Sequence, residues 1–256
     1  MRRVRIAGVL LAGITALAVA GCNADKGTAT DSSSPSAAPS SSVPKTAAKD
    51  ALAAAADKTN GTSYRLRVGM NGMMTVSGLG NVETMSKKYD MDMTVDMGSS
   101  KLTMQTVVVD TDMYIKIKGM PGLPSQWMKV STSKIKPGSQ LDPNTQNLVT
   151  MADWVVSAEW DGEYAVKGTL DMSKSPTATE QAKQQLGDKA KAVPFTATID
   201  RNGYLTGMTL DMNAMMPGTG SMTASYSNFG EPVTVTVPPA NQVTPMPAEL
   251  IAAMGG

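Results

Sequence analysis

Apolar and polar residues alternate along most of this chain with a period of two. That spacing puts one side of a β-strand into a core and the other into water. Met91-Asp92-Met93-Thr94-Val95-Asp96-Met97 is the clearest case. Tyr64 to Met70 alternates in the same way. Leu102-Thr103-Met104-Gln105 resumes after the turn Gly98-Ser99-Ser100, and Val107-Val108-Val109 runs into a second turn, Asp110-Thr111-Asp112. Met113 to Lys118 then sets Met113, Ile115 and Ile117 on one face, with Tyr114, Lys116 and Lys118 on the other. Gly119 to Ser125 is a loop and Gln126 to Val130 a short strand. Further strands are predicted at Val155 to Glu159, Tyr164 to Met172, Pro194 to Asp200, Tyr204 to Asn213, Ser221 to Phe229 and Pro232 to Val237. Asp161-Gly162 and Asn202-Gly203 are hairpin signals between them.

Three helices interrupt the strands. Lys45 to Thr59 is dense in alanine, the best helix former, and Asn60-Gly61 stops it. Leu141 to Met151 opens with Asp142 as N-cap and Pro143 at the first position. A third helix runs from Ser175-Pro176 to about Asp188, with Thr177-Ala178-Thr179-Glu180 in capping-box spacing. Short loops between successive strands predict an antiparallel meander, and few helices predict that only one sheet face is covered. The fold class is therefore α+β. The face carrying Asp92, Thr94, Asp96, Lys116, Lys118, Thr209 and Asp211 suits water. The opposite face carries Met91, Met93, Val95, Met97, Met113, Ile115, Ile117, Met208, Leu210 and Met212, and it must lie against something.

The first 44 residues follow different rules. Arg2, Arg3 and Arg5 precede an uncharged run from Ile6 to Ala20. This is the arrangement of a signal peptide, and the run is short for a membrane span of about 20 residues. Val19-Ala20-Gly21-Cys22 resembles the lipobox of bacterial lipoproteins. That likeness implies cleavage between Gly21 and Cys22 and a lipid on the Cys22 sulfur, so residues 1–21 are read as a signal peptide. Residues 22–44, rich in Ser, Thr, Ala and Pro, are read as a disordered tether of roughly 25 Å average span. Residues 45–256 form one β-rich domain, held at the extracytoplasmic face of the cell membrane by the lipid anchor.

Composition narrows the chemistry. The chain has 23 basic and 22 acidic residues; loss of the three leader arginines leaves 20 against 22, which does not favour nucleic acid. It has no histidine, and its one cysteine belongs to the lipobox. Histidine bases, thiol nucleophiles and His-ligated metals are thereby excluded, and the domain is expected to be non-enzymatic, without a cofactor. Asp90, Asp92, Thr94 and Asp96 imitate the start of a calcium loop. However, Val95 stands where glycine is needed and Lys101 where the bidentate Glu belongs. Twenty-one methionines against two phenylalanines are either an adaptable apolar surface or an ordinary core built from Met.

Several segments together resemble the LppX/LprG lipoproteins of actinobacteria, over roughly Lys45 to Val243. These are the lipobox, the tether and first helix, Met113-Tyr114-Ile115-Lys116, Trp127, and Pro194 through Leu205. The closing patterns Tyr226-Ser227-Asn228-Phe229-Gly230-Glu231-Pro232-Val233 and Val235-Thr236-Val237-Pro238 belong to the same likeness. The resemblance implies a curved antiparallel sheet, a half-barrel wrapped around a few helices as in LolA and LolB. It also implies a cavity for an acylated lipid or glycolipid and carriage of that lipid within the cell envelope, beside a membrane transporter in some members. The ten apolar-face residues are then the candidates for the cavity lining, with an exit near Gly119 to Ser125. The competing expectation is a protein-binding scaffold with a filled core, making contact through strand edges or Trp127, Trp154 and Trp160.

Overall fold

The computed structural model describes residues 46–139, 141–142, 151, 153–175, 178 and 180–254. The signal peptide, Gly21, Cys22 and the tether lie outside the described residues, as do most of the Leu141–Met151 helix and the capping residues Thr177 and Thr179.

Twelve strands form one open sheet. The first six are β1 (Ser63–Asn71), β2 (Thr75–Glu83), β3 (Lys88–Asp96), β4 (Lys101–Val109), β5 (Asp112–Lys118) and β6 (Trp127–Ser131). The others are β7 (Val155–Trp160), β8 (Ala165–Leu170), β9 (Val193–Ile199), β10 (Leu205–Asp211), β11 (Ser221–Ser227) and β12 (Val243–Pro245). Their spatial order is β12-β6-β5-β4-β3-β2-β1-β11-β10-β9-β8-β7. Two antiparallel meanders, β1 to β6 and β7 to β11, are thus joined edge to edge through β1 and β11, and β12 adds a parallel pairing, to β6.

The longer α-helices among the described residues are α1 (Ala48–Asn60), α2 (Glu180–Leu186) and α3 (Ala248–Met254). α1 buries Ala48, Leu52, Ala55, Ala56 and Thr59, an i, i+4, i+7, i+8, i+11 stripe, and packs against β1, β7, β9 and β10. Its small alanines let the helix axis approach the sheet closely. The hydroxyl oxygen of fully buried Thr59 accepts a hydrogen bond from the Leu205 amide at 3.0 Å, beside a register shift between β9 and β10. The Lys49 ammonium and the Trp160 indole donate to the carbonyls of Val155 and Thr46 at 2.9 and 2.8 Å, tying α1 to β7.

Several expectations need correcting. β2 went unpredicted because its inward positions alternate Val76, Gly78, Gly80, Val82, so the apolar signal lapses. The glycines are required there. A Cβ on Gly80 would collide with the Asp90 carbonyl, and one on Gly78 would stand 2.5 Å from a Val68 methyl, with the Met91 sulfur and methyl lying over both. Pro232 to Val237 is not a strand. β11 already has β1 and β10 on its two sides, and Pro232 and Pro238 have no N–H to give a ladder. The third predicted helix begins at Glu180, five residues late, and α3 was not foreseen. Tyr114, placed on the watery face, is buried there with Val107 beneath the Lys129 ammonium, 5.5 Å from its ring.

Candidate functional site

Strand register puts the apolar positions of β1 to β5 and β8 to β11 on one continuous face. Across β3 and β4, Met91, Met93 and Val95 oppose Thr106, Met104 and Leu102; across β4 and β5, Val108, Thr106 and Met104 oppose Met113, Ile115 and Ile117. In the other direction Met93 and Val95 oppose Gly78 and Val76. These oppose Val68 and Met70 of β1, which in turn oppose Ala224 and Met222 of β11. Met208 and Leu210 on β10 complete the row. The opposite face is mostly polar outside the buried Val107–Tyr114 pair. Asp90 accepts from the Asn81 side chain and Asp92 from Gln105, each at 2.9 Å, so the apparent calcium-loop aspartates are outward strand residues. Among the described residues no group of three or more His, Cys, Asp or Glu could hold a metal.

The apolar face is covered in two places. Met91, Met208 and Leu210 pack with α1, Tyr64, Leu66, Trp154, Phe195 and Tyr226 in one cluster. Met113, Ile115 and Ile117 pack with Met128, Val130, Ile135, Leu141 and Met246 in a second, onto which Leu250 and Ile251 of α3 fold. The segment between β6 and β7 serves both: Ile135 and Leu141 enter the second cluster, Met151 and Trp154 the first. Tyr89 touches both clusters. Burial and the nearby Asp142 carboxylate hold its phenol well above the usual tyrosine range. Burial likewise raises Tyr64 to about 12 and Tyr226 further, where the two rings meet edge to face at 5.8 Å.

Of the ten candidate lining residues, six are therefore buried in the clusters, and Met212 packs against the first. Met93 and Val95 are half-buried and belong to neither cluster. With Met70, Val76 and Met222 they make a strip of apolar floor between the two packed regions, toward the strand ends where Met222 is 39% exposed. Met97 and Met212 do not line the face as strand residues. Met97 is 49% exposed in the β3–β4 turn, where its amide bonds to the Ser100 carbonyl. Met212 begins a short 3₁₀ turn, because the Asp211 carboxylate caps the Asn213 amide and ends β10. Sequence reasoning left out Met70, Leu102, Met104 and Met222, whose alternation was visible, and Val76, hidden in the glycine-rich strand.

A separate pocket of about 320 Å³ lies at the β6–β12 edge, walled by Val130, Val243, Met246 and Ile251, with Lys129 and Lys134 beside it. None of the ten candidates lines it. Lys129 is held above the ordinary lysine range, first by its hydrogen bond to Asp112 at 2.7 Å. Of the tryptophans, Trp154 is core, Trp160 bonds to Thr46, and Trp127 lies under the Lys116 ammonium at 5.9 Å. Among the described residues no helix is long and apolar enough to cross a membrane. The chain matches no protein-family model, and no curated protein matches it.

Proposed function

We propose that this is a lipoprotein anchored through Cys22 at the extracytoplasmic face of the membrane. On this reading it holds an acylated lipid or glycolipid on the apolar face of its sheet and carries it within the cell envelope, as the LppX/LprG lipoproteins do. It is non-enzymatic and needs no cofactor, and a membrane transporter supplies or receives the lipid. The observation that carries the reading is the strip Met70, Val76, Met93, Val95 and Met222, apolar and half-open between two packed clusters. Each lipid methylene buried on such a floor contributes about 0.8 kcal/mol, and methionine adapts to chains of varied length and kink. The breadth of the sheet supports a curved, half-barrel form, since open sheets beyond roughly ten strands curl or split.

The test is native mass spectrometry of the chain carrying Cys22→Ser, made in a bacterium so that no lipid is attached covalently. Acylated lipid near one per chain, displaced by Met93→Trp, is the expected result. A second reading, a scaffold with a filled core, draws support from the seven candidates already packed and from the pocket at the β6–β12 edge. It expects no bound lipid and no response to Met93→Trp.

A further inference from the structure

The pentapeptide Met-Asn-x-Met-Met occurs twice, at residues 70–74 and 212–216. The first copy carries the chain from β1 into β2, and the second follows β10. The copies are neighbours, because Asn71 of β1 and Asp211 of β10 both pair with Ser221 of β11. The Met73 amide donates to the Gly218 carbonyl at 3.0 Å, and the Met212 amide to the Gly220 carbonyl at 3.0 Å. Gly72 and Gly220 leave no room for a Cβ, since the Thr219 and Asn71 carbonyls stand there. The Asn213 side chain accepts from the amides of Gly218 and Gly220 at 3.1 and 3.0 Å, which fixes the loop carrying the second copy. Met73 folds along that loop, its sulfur 3.9 Å from where a Cβ on Gly218 would sit, two residues past Met216.

Two clamped turns therefore present exposed methionines on neighbouring segments of backbone. Met73 is 74% exposed and Met216 51%. A thioether is a soft, uncharged donor that selects Cu(I) over hard or borderline divalent cations. We propose that the paired Met-Asn-x-Met-Met turns form a binding site for one Cu(I) ion. Met73 and Met216, one from each copy, are its ligands, and a third thioether comes from the same two turns. Because a thioether has no proton to lose, Cu(I) is held without proton release, unlike at thiolate or imidazole sites. This site is independent of the lipid reading.

The experiment uses the full chain in detergent with Cys22→Ser, which removes the only thiol. The chain competes anaerobically with a coloured Cu(I) chelator at about pH 7 and about pH 5. Expected are one Cu(I) per chain, little change in affinity between the two pH values, and a loss of at least about tenfold in Met73→Leu/Met216→Leu. Met85→Leu, on an 82% exposed methionine in the β2–β3 turn, leaves binding unchanged. Leucine keeps the apolar volume, so folding and metal loss separate. Failure to take Cu(I) from the chelator, binding that survives the double substitution, or equal loss in Met85→Leu overturns the site.

Discussion

Thr59→Val isolates a single buried hydrogen bond on which the seating of α1 depends. Valine matches threonine in shape and is similar in helix propensity, so packing is preserved. What disappears is the acceptor for the Leu205 amide, a bond of 3.0 Å between groups that are 0% and 1% exposed. At Leu205 the β9–β10 register shifts, and the amide turns to α1 for its partner. A buried donor stripped of its acceptor costs about 1–3 kcal/mol, a large part of a typical domain stability of roughly 5–15 kcal/mol. With a urea slope of about 2–3 kcal/mol per molar, the unfolding midpoint should fall by roughly 0.3–1.5 M. Tryptophan fluorescence reports it, since Trp154 sits in the same cluster. Hydrogen exchange at the Leu205 amide should quicken as well. A midpoint unchanged from wild type, with Leu205 still protected, would refute the reasoning.

Three further outcomes follow from the same packing. Gly80→Ala should lower stability by about 1–3 kcal/mol in thermal unfolding, because β2 and β3 must part to admit a Cβ against the Asp90 carbonyl. Alkali should destabilise the fold. The unfolded Tyr64 ionises near pH 10, while the folded phenol holds its proton to about 12. Stability is thus intact below about pH 10 and falls as pH rises toward 12, at up to about 1.4 kcal/mol per unit for this group. Tyr64→Phe should flatten the decline, and an unaltered slope would count against the burial argument. Met93→Trp should abolish lipid retention while leaving the circular dichroism spectrum intact.

Much of the sheet was legible because strand alternation is local. The faces of β3, β5 and β10 follow from Met91-Asp92-Met93, Met113 to Lys118 and Met208 to Leu210 without knowledge of their partners. What could not be read is non-local or carried by glycine. The β1–β11 join links residues some 150 positions apart, and β2 places Gly78 and Gly80 where a core side chain is expected. The division of the apolar face into two packed clusters with an open strip between them depends on where α1, α3 and the β6–β7 segment fold back. No period in the sequence records that. The two Met-Asn-x-Met-Met copies were visible as a repeat, but only the β1–β11–β10 pairing makes them neighbours.

The lipid reading meets its most direct test in the methionine ε-methyl NMR spectrum of the Cys22→Ser chain, titrated with a lipid whose acyl chain carries a nitroxide. Broadening concentrated at Met70, Met93 and Met222, with Met85 spared, is the expected result. A spectrum untouched by the nitroxide, or broadening confined to Met246 at the β6–β12 edge, would contradict it.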